Sequence, residues 1–320
     1  MRISGVTYVS HKTYWVRKLL VVLLLLAFIA VLTIALISAY AGWKLVHPKS
    51  PDIKPFSSNI APEYINVSFK SRDESIVLSG WLFNSGDSSK TVILAHGYGQ
   101  NRLPFGEQTL DIIKSFEKQG YNVLTFDFRN SGKSDGKVSS MGFYEKDDLL
   151  GAIDYVKSLG AQQIVLMGFS TGASTCILAA SDSNEIDAII ADSPFLNLEE
   201  YISYIISRNQ NLPRIPFSKT IMLSIRLLAG IDADKTSPQK NLESITGIPI
   251  LFIHSKDDNG ISSDSSSRLY NIYSKEAVDK AELWITEGTD HAASYTQSPV
   301  EYMQRVFTFL DKVLDKGADE

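Results

Sequence analysis

Five residues, Gly168-Phe169-Ser170-Thr171-Gly172, stand between the apolar run QIVLM and the helical stretch ASTCILAASD. In a strand–turn–helix setting, a G-x-S-x-G turn brings backbone segments too close for a Cβ at either glycine. It pushes the serine hydroxyl out at the helix N-terminus, where the helix dipole favours developing negative charge. The pentapeptide alone is a weak signal; the setting strengthens it. A serine nucleophile needs a base, and the chain has five histidines. His11 and His47 flank an apolar N-terminal segment, His96 follows the run TVILA, and His254 closes PILFIHS. His291 lies in EGTDHAAS after the last strand-like run and is the expected base. His96 and His254 read as strand-end residues whose rings hydrogen-bond nearby backbone. The acid is expected in HSKDDNGI, where either Asp257 or Asp258 could orient the imidazole, with Asp264 a more remote candidate and Asp290 a support for the His291 loop. The resulting order of serine, acid and histidine differs from both serine protease orders. Two preset N–H donors must hold the oxyanion. Thr171, after the nucleophile, supplies one; His96-Gly97-Tyr98-Gly99 supplies the other, from Tyr98 or the adjacent Gly99.

Other chemistries fit poorly. Gly132-Lys133-Ser134 lacks the upstream glycine of a phosphate loop, because that position holds Asp127. The stretch Asp127 to Gly132 reads instead as a strand-end turn buttressing the site. Tyr144-Glu145-Lys146-Asp147-Asp148 opens a helix, and its charges are expected to be solvated. No HExxH or clustered histidine spacing calls for a metal, and no cofactor is needed. The single cysteine, Cys176, excludes a disulfide scaffold and reads as a packed thiol. With 31 basic and 36 acidic residues the chain carries a formal charge of −5, which gives no basis for expecting a nucleic-acid partner.

These residues need a scaffold that collects them at one edge. Short apolar runs over 64–69, 76–83, 91–95, 122–128, 163–169, 187–191, 248–254 and 281–286 read as strands. The first two alternate polar and apolar residues, as half-exposed antiparallel strands do; the later ones are nearly continuous, as in a parallel sheet covered on both faces. Helical segments over 106–119, 142–159, 171–181, 264–275 and 299–314 fall between them, predicting right-handed crossovers. Residues 196–245 break the alternation: they carry no strand signal and show helical periodicity over 201–208 and 218–228.

The N-terminus is of another kind. Residues 19–43 contain no charge and would span roughly 37 Å as a helix, enough for a hydrocarbon core of about 30 Å. The run exceeds the usual apolar core of a signal peptide, so an uncleaved anchor is favoured although Ala39-Tyr40-Ala41 has a small-x-small pattern. Arg2, Lys12, Arg17 and Lys18 precede it, placing residues 1–18 in the cytoplasm and the remainder outside. HPKSPDIKPF carries three prolines in ten residues and reads as an extended spacer within 44–61. None of the expected site residues lies in the anchor, so its removal is expected to leave them intact.

The blocks HGYGQNR, DFRNSGKSDG, GFYEKDDL, GFSTG, DSPF, FIHSKDD and HAASY together resemble the α/β-hydrolase superfamily, specifically its bacterial membrane-anchored serine hydrolases, over about residues 62–315. That resemblance implies an α/β fold with a mostly parallel eight-stranded sheet flanked by helices, within 62–320, and a small helical cap at roughly 196–245. The acid loop of such enzymes reads HGxxDxxVP, which aligns its Asp with Asp258; Ser255 stands in place of the glycine, and Ile261-Ser262 in place of Val-Pro. The implied site is Ser170, Asp258 and His291, with Tyr98 and Thr171 at the oxyanion. The expected activity is hydrolysis of a carboxylic ester with a small or medium acyl group. A serine peptidase, with Glu199 and Glu200 binding a peptide amine, is the alternative. A non-catalytic membrane-anchored binding protein is the second.

Overall fold

The computed structural model describes residues 11–53, 56, 60–86, 88–209, 212–277 and 279–314. Residues 1–10, positions 54, 55 and 57–59 of the expected spacer, and 315–320 lie outside these. One sheet of eight strands organises the chain: β1 (Tyr64–Lys70), β2 (Val77–Phe83), β3 (Lys90–Ala95), β4 (Asn122–Asp127), β5 (Gln163–Phe169), β6 (Ala188–Asp192), β7 (Ile250–Ser255) and β8 (Ala281–Thr286). Their spatial order is β1-β2-β4-β3-β5-β6-β7-β8. The pairs β1–β2 and β2–β4 are antiparallel, and every later pair is parallel.

The continuous apolar runs are explained by two covered faces. Along β3, Ile93 and Ala95 enter one core, while Val92 and Leu94 enter the other. Along β5, Ile164 and Leu166 face the first, and Val165, Met167 and Phe169 the second. Successive side chains point to opposite sides of a strand, so burial on both sides demands an unbroken apolar sequence. Helices α3 (Glu145–Ser158), α4 (Thr171–Ala180) and α8 (Asp264–Glu276) contribute to the first core; α2 (Thr109–Lys118) and α10 (Pro299–Leu314) contribute to the second. All ten residues of α4 are buried.

The segment between β6 and β7 holds α5 (Leu198–Asn209), α6 (Arg214–Ala229) and the short α7 (Pro238–Asn241). Gly230, at φ 68°, ends α6 in the left-handed conformation that stops helices. The short α9 (Ser294–Gln297) precedes α10.

The N-terminal helix α1 (His11–Val46) has 36 residues. Its Tyr14–Val46 stretch is long and apolar enough to cross a membrane. At 1.5 Å per residue the whole helix is about 54 Å long, far more than a hydrocarbon core of about 30 Å requires. The excess is packed against the insertion. Ala41, Leu45 and Val46 are buried with Phe217, Ile221 and Ile225 of α6. Ser38 Oγ lies 2.7 Å from Thr220 Oγ1, and the Ser224 hydroxyl donates to the Ser38 carbonyl at 2.8 Å. A Cβ on Gly42 would fall 2.2 Å from Ser224 Oγ, so the glycine permits this approach. The following segment is also laid on the domain. Ser50 Oγ donates to the Gln100 carbonyl at 2.6 Å, and Asn101 Nδ2 donates to the Pro51 carbonyl at 2.8 Å. The described part of the expected extended spacer is thus laid on the domain as a docked strap.

Candidate active site

Everything the site needs leaves the sheet at its carboxyl edge. Ser170 follows β5 directly, with φ 55° and ψ −122°, a strained conformation for a residue with a Cβ. The strain is held by its neighbours: the Ser170 N–H donates to the Asp192 carbonyl at 2.8 Å, and its carbonyl accepts from the Ser174 N–H at 3.2 Å. The flanking glycines are steric requirements. A Cβ on Gly168 would lie 2.5 Å from the Gly172 carbonyl oxygen, and one on Gly172 would lie 2.2 Å from that of Ala95.

The structure brings Ser170, His291 and Asp258 together. Ser170 Oγ is 2.6 Å from His291 Nε2, and His291 Nδ1 is 2.9 Å from each oxygen of Asp258. The Asp258 side chain is fully buried, while that of His291 remains 29% exposed. Asp258 Oδ1 also accepts the N–H groups of Gly260 at 2.7 Å and Ile261 at 2.9 Å. Oδ2 accepts that of Ala292 at 3.3 Å. Burial works against the Asp258 charge, but hydrogen bonding to His254 and His291 outweighs it and holds the carboxyl below its usual range. Asp257 is exposed and, among the described residues, makes no side-chain hydrogen bond or ion pair with His291, whose Nδ1 is engaged by Asp258. Asp264 lies in the first turn of α8, and Asp290 accepts from Asn259 Nδ2 at 3.4 Å.

The other two histidines behave as strand-end residues, with one addition. His96 Nε2 accepts from the Phe128 N–H at 3.0 Å, so Nδ1 carries the proton and donates to the Gly97 carbonyl at 2.8 Å. Complete burial pushes its pKa down and keeps the ring neutral. His254 Nε2–H donates to the Ile261 carbonyl at 3.0 Å, and Nδ1 accepts from Ser266 Oγ at 2.7 Å. The same Nε2 lies 3.4 Å from Asp258 Oδ2, so the acid sits between two imidazoles. Only the strand-end position of His254 is visible in the sequence, not this contact. Gly260 is likewise missed by sequence reasoning: a Cβ there would lie 2.4 Å from His291 Cγ, and its place two residues after the acid is the available signal.

Gly97 brings the loop after β3 against Ser170, since a Cβ on it would sit 3.2 Å from the Ser170 Cβ. Tyr98 follows on this loop and lines the same cavity as Ser170, and Thr171 opens α4 directly after the serine. The Tyr98 hydroxyl donates to the Leu45 carbonyl of α1 at 2.6 Å, and burial pushes its pKa up. The end of the N-terminal helix therefore touches a loop of the site, although none of Ser170, Asp258 and His291 lies in it. Behind the loop, Arg102 and Asp127 form a fully buried ion pair at 2.5 Å, and Asp127 also accepts the Arg102 N–H. This is the buttress expected of the turn after β4.

The acidic cluster at the start of α3 differs from its expected solvated state. Glu145 and Asp148 are buried. Asp148 pairs with Arg129 at 2.5 Å, and Glu145 gathers the N–H groups of Ser140 and Gly142 and the Ser139 and Ser140 hydroxyls. Buried carboxylates need such partners, and Arg129 stands 19 residues away from Asp148 in sequence, beyond the reach of a local reading.

A cavity of about 440 Å³ opens on Ser170 and His291, lined also by Tyr98, Phe105, Tyr201 and Ile205. A larger one, about 630 Å³, lies at α5 and α6; it shares Tyr201 with the first but includes none of the three residues. Glu199 and Glu200 line the larger cavity, and Glu200 pairs with Arg268 at 3.3 Å.

Comparison with known proteins places this geometry. A family model described as α/β hydrolase fold matches residues 90–218. The uncharacterized protein YqkD of Bacillus subtilis is 36% identical over 242 residues, covering 74% of this chain and 76% of that protein. The lysophosphatidylserine lipase ABHD12 of Danio rerio is 28% identical over 208 residues, 60% of this chain and 50% of that one. Among solved structures, the Pyrococcus furiosus esterase Pf2001 matches with a TM-score of 0.69 at 28% identity, covering 85% of this chain and 99% of its own. With its eight-stranded sheet, its serine turn after β5 and these relatives, the chain belongs to the α/β hydrolase fold family.

Proposed function

We propose that this chain is a membrane-anchored serine carboxylesterase, with Ser170, His291 and Asp258 as its catalytic residues and residues 62–320 as its catalytic domain. The observation that carries the reading is the unbroken hydrogen-bonded series from Ser170 Oγ through both His291 nitrogens to Asp258. In the first step Ser170 Oγ attacks the ester carbonyl while His291 Nε2 takes its proton. The Tyr98 and Thr171 N–H groups hold the oxyanion. Asp258 keeps the other proton on Nδ1 and stabilises the imidazolium. The C–O bond then breaks, His291 protonates the departing alkoxide, and an acyl-serine remains. Water, deprotonated by the same histidine, cleaves that acyl bond and releases the carboxylic acid. The insertion between β6 and β7 serves as the cap, through Tyr201 and Ile205.

An ester is favoured over a peptide because Glu200 is engaged by Arg268 and neither Glu199 nor Glu200 lines the Ser170 cavity. Similarity to an esterase and to a lysophosphatidylserine lipase agrees with that choice. Helix α1 holds the protein in a bilayer, with its N-terminal side cytoplasmic and the catalytic domain on the opposite side. The test is hydrolysis of a p-nitrophenyl acyl ester series by the full chain in nanodiscs, beside Ser170→Ala. Turnover lost in the variant supports the assignment, and the preferred chain length sizes the acyl pocket. A folded protein that hydrolyses no ester overturns it.

A further inference from the structure

Helix α6 presents an outward face that a water-soluble cap has no reason to carry. Leu223 is 56% exposed, Leu227 76% and Leu228 54%, and Ile215 at the N-terminal tip is 88% exposed. Lys219, Leu223 and Leu227 follow one another at four-residue spacing, so they form a single stripe. The helix carries Arg214, Lys219 and Arg226 and no acidic residue, in a chain whose formal charge is −5. Apolar side chains flanked by basic ones describe a helix that rests in the headgroup region of anionic lipid.

Its register against α1 sets the depth. Ser38 meets Thr220 and Gly42 meets Ser224 and Ile225, so numbers rise in the same direction on both helices. The first regular turn of α6, at Phe217, is then level with the part of α1 that precedes Ser38, where the apolar surface is still bare, and the exposed Ile215 lies just before it. Residues 19–38 of α1 make about 30 Å of helix, one hydrocarbon thickness. Above them Tyr40 and Trp43 are 67% and 51% exposed, as aromatic residues at a membrane interface are. By this register the outward stripe of α6, on the face turned away from α1, lies at the height where α1 leaves the bilayer.

We propose that α6 is a second membrane-contacting element, with its tip and its Lys219–Leu223–Leu227 stripe seated in the headgroup and upper acyl region of the leaflet from which α1 emerges. The inference rests on α1 spanning that bilayer. It gives the larger cavity a role: Arg214, Ile215, Pro216 and Lys219 line it on this side, and Tyr201 and Ile261 line it toward the catalytic residues. The cavity then faces lipid and is separated from Ser170 by cap side chains, which makes an acyl lipid of that leaflet the class of ester delivered to the site.

The test uses the full chain in nanodiscs of phosphatidylcholine and phosphatidylglycerol, with a fluorophore on one introduced cysteine; Cys176 is fully buried, and unlabelled wild type checks that it stays unreactive. Labels at Leu223→Cys and Leu227→Cys are expected to be quenched by lipids bearing a nitroxide near the headgroup. Leu25→Cys should be quenched by a nitroxide deep in the acyl chain. Leu159→Cys, exposed where α3 ends at the opposite edge of the sheet, should be quenched by neither. Quenching at 25 without quenching at 223 and 227 overturns the role of α6 and leaves the anchor standing. No quenching at any position overturns the anchor and the inference together. Labels at 223 and 227 shielded from aqueous iodide, yet unquenched by lipid, identify a second copy as the occupant and overturn a lipid contact. None of these readouts depends on turnover, so a failed esterase assignment does not disturb them.

Discussion

Replacing Asp258 by asparagine tests the catalytic reading most directly, because the surrounding donors dictate how the amide must sit. Oδ1 receives two backbone N–H groups, from Gly260 at 2.7 Å and Ile261 at 2.9 Å. Oδ2 receives one, from Ala292 at the longer distance of 3.3 Å. The amide oxygen of the introduced asparagine therefore occupies the Oδ1 position, and its NH2 occupies Oδ2, 2.9 Å from His291 Nδ1. An NH2 there meets the Nδ1–H donor to donor, and the amide oxygen, also 2.9 Å from Nδ1, already holds two backbone N–H groups, so the tautomer with Nε2 protonated relieves the clash. A protonated Nε2 donates to Ser170 Oγ and cannot take its proton. The geometry survives while the base is lost. In serine–histidine–acid sites a wrong tautomer lowers kcat by about 10⁴, or about 5 kcal/mol of barrier. The exposed Asp257, changed to Asn, should leave kcat within about threefold, as surface substitutions away from a site do. Steady-state kinetics on a p-nitrophenyl ester, with 15N shifts of His291 to report the tautomer, read both variants. An Asp258→Asn enzyme within tenfold of wild type, or equal losses at both positions, would refute the reasoning.

Three further outcomes follow from the geometry. Gly172→Ala puts a methyl group 2.2 Å from the Ala95 carbonyl oxygen, between backbone segments with no flexible side chain to yield, and should unfold the protein or sharply lower its thermal midpoint. A fragment beginning at residue 34 should keep the α1–α6 contact, whereas one beginning at 48 should lose at least about 5 kcal/mol. That sum takes about 2 for each of Leu45 and Val46 and about 1 for the Tyr98–Leu45 hydrogen bond; comparison of denaturant midpoints checks it. Burial raises Asp192 to about 6 despite hydrogen bonds from Ser193 and Tyr302. Its folded form holds a proton that the unfolded chain gives up near 4, so stability should fall as pH rises between those values. Asp192→Asn should flatten that slope in urea titrations across pH 4 to 7.

What the sequence discloses is what short segments encode. The edges of β5 and β8 are legible to the residue, since both are bounded by turn-forming residues and filled with apolar ones. The serine turn is legible because its glycines, strand and helix are contiguous. The choice of Asp258 over Asp257 needs the family resemblance, since their difference lies in which one the chain turns inward. Long-range partners are hidden. Glu145 and Asp148 look like ordinary first-turn acids until Arg129 and the Ser139–Gly142 loop come beside them. Ser38, Ala41 and Gly42 look like the small residues of any membrane helix; that they form an interface depends on Thr220 and Ser224, some 180 residues later.

The complete burial of α4 constrains how this protein changes over generations. A helix with no outward face has no position at which a substitution is free; every residue from Thr171 to Ala180 is enclosed on all sides. The proposed nucleophile, Ser170, directly precedes this helix and one proposed oxyanion donor, Thr171, opens it, so both are tied to a segment that selection can hardly edit. The lining of the same cavity that comes from Tyr201, Ile205 and the loop around Gly260 belongs to segments with solvent on one side. Under the proposed activity, substitutions that retune substrate preference are best tolerated there, and an engineer seeking a new ester would do well to randomise the insertion and leave α4 untouched.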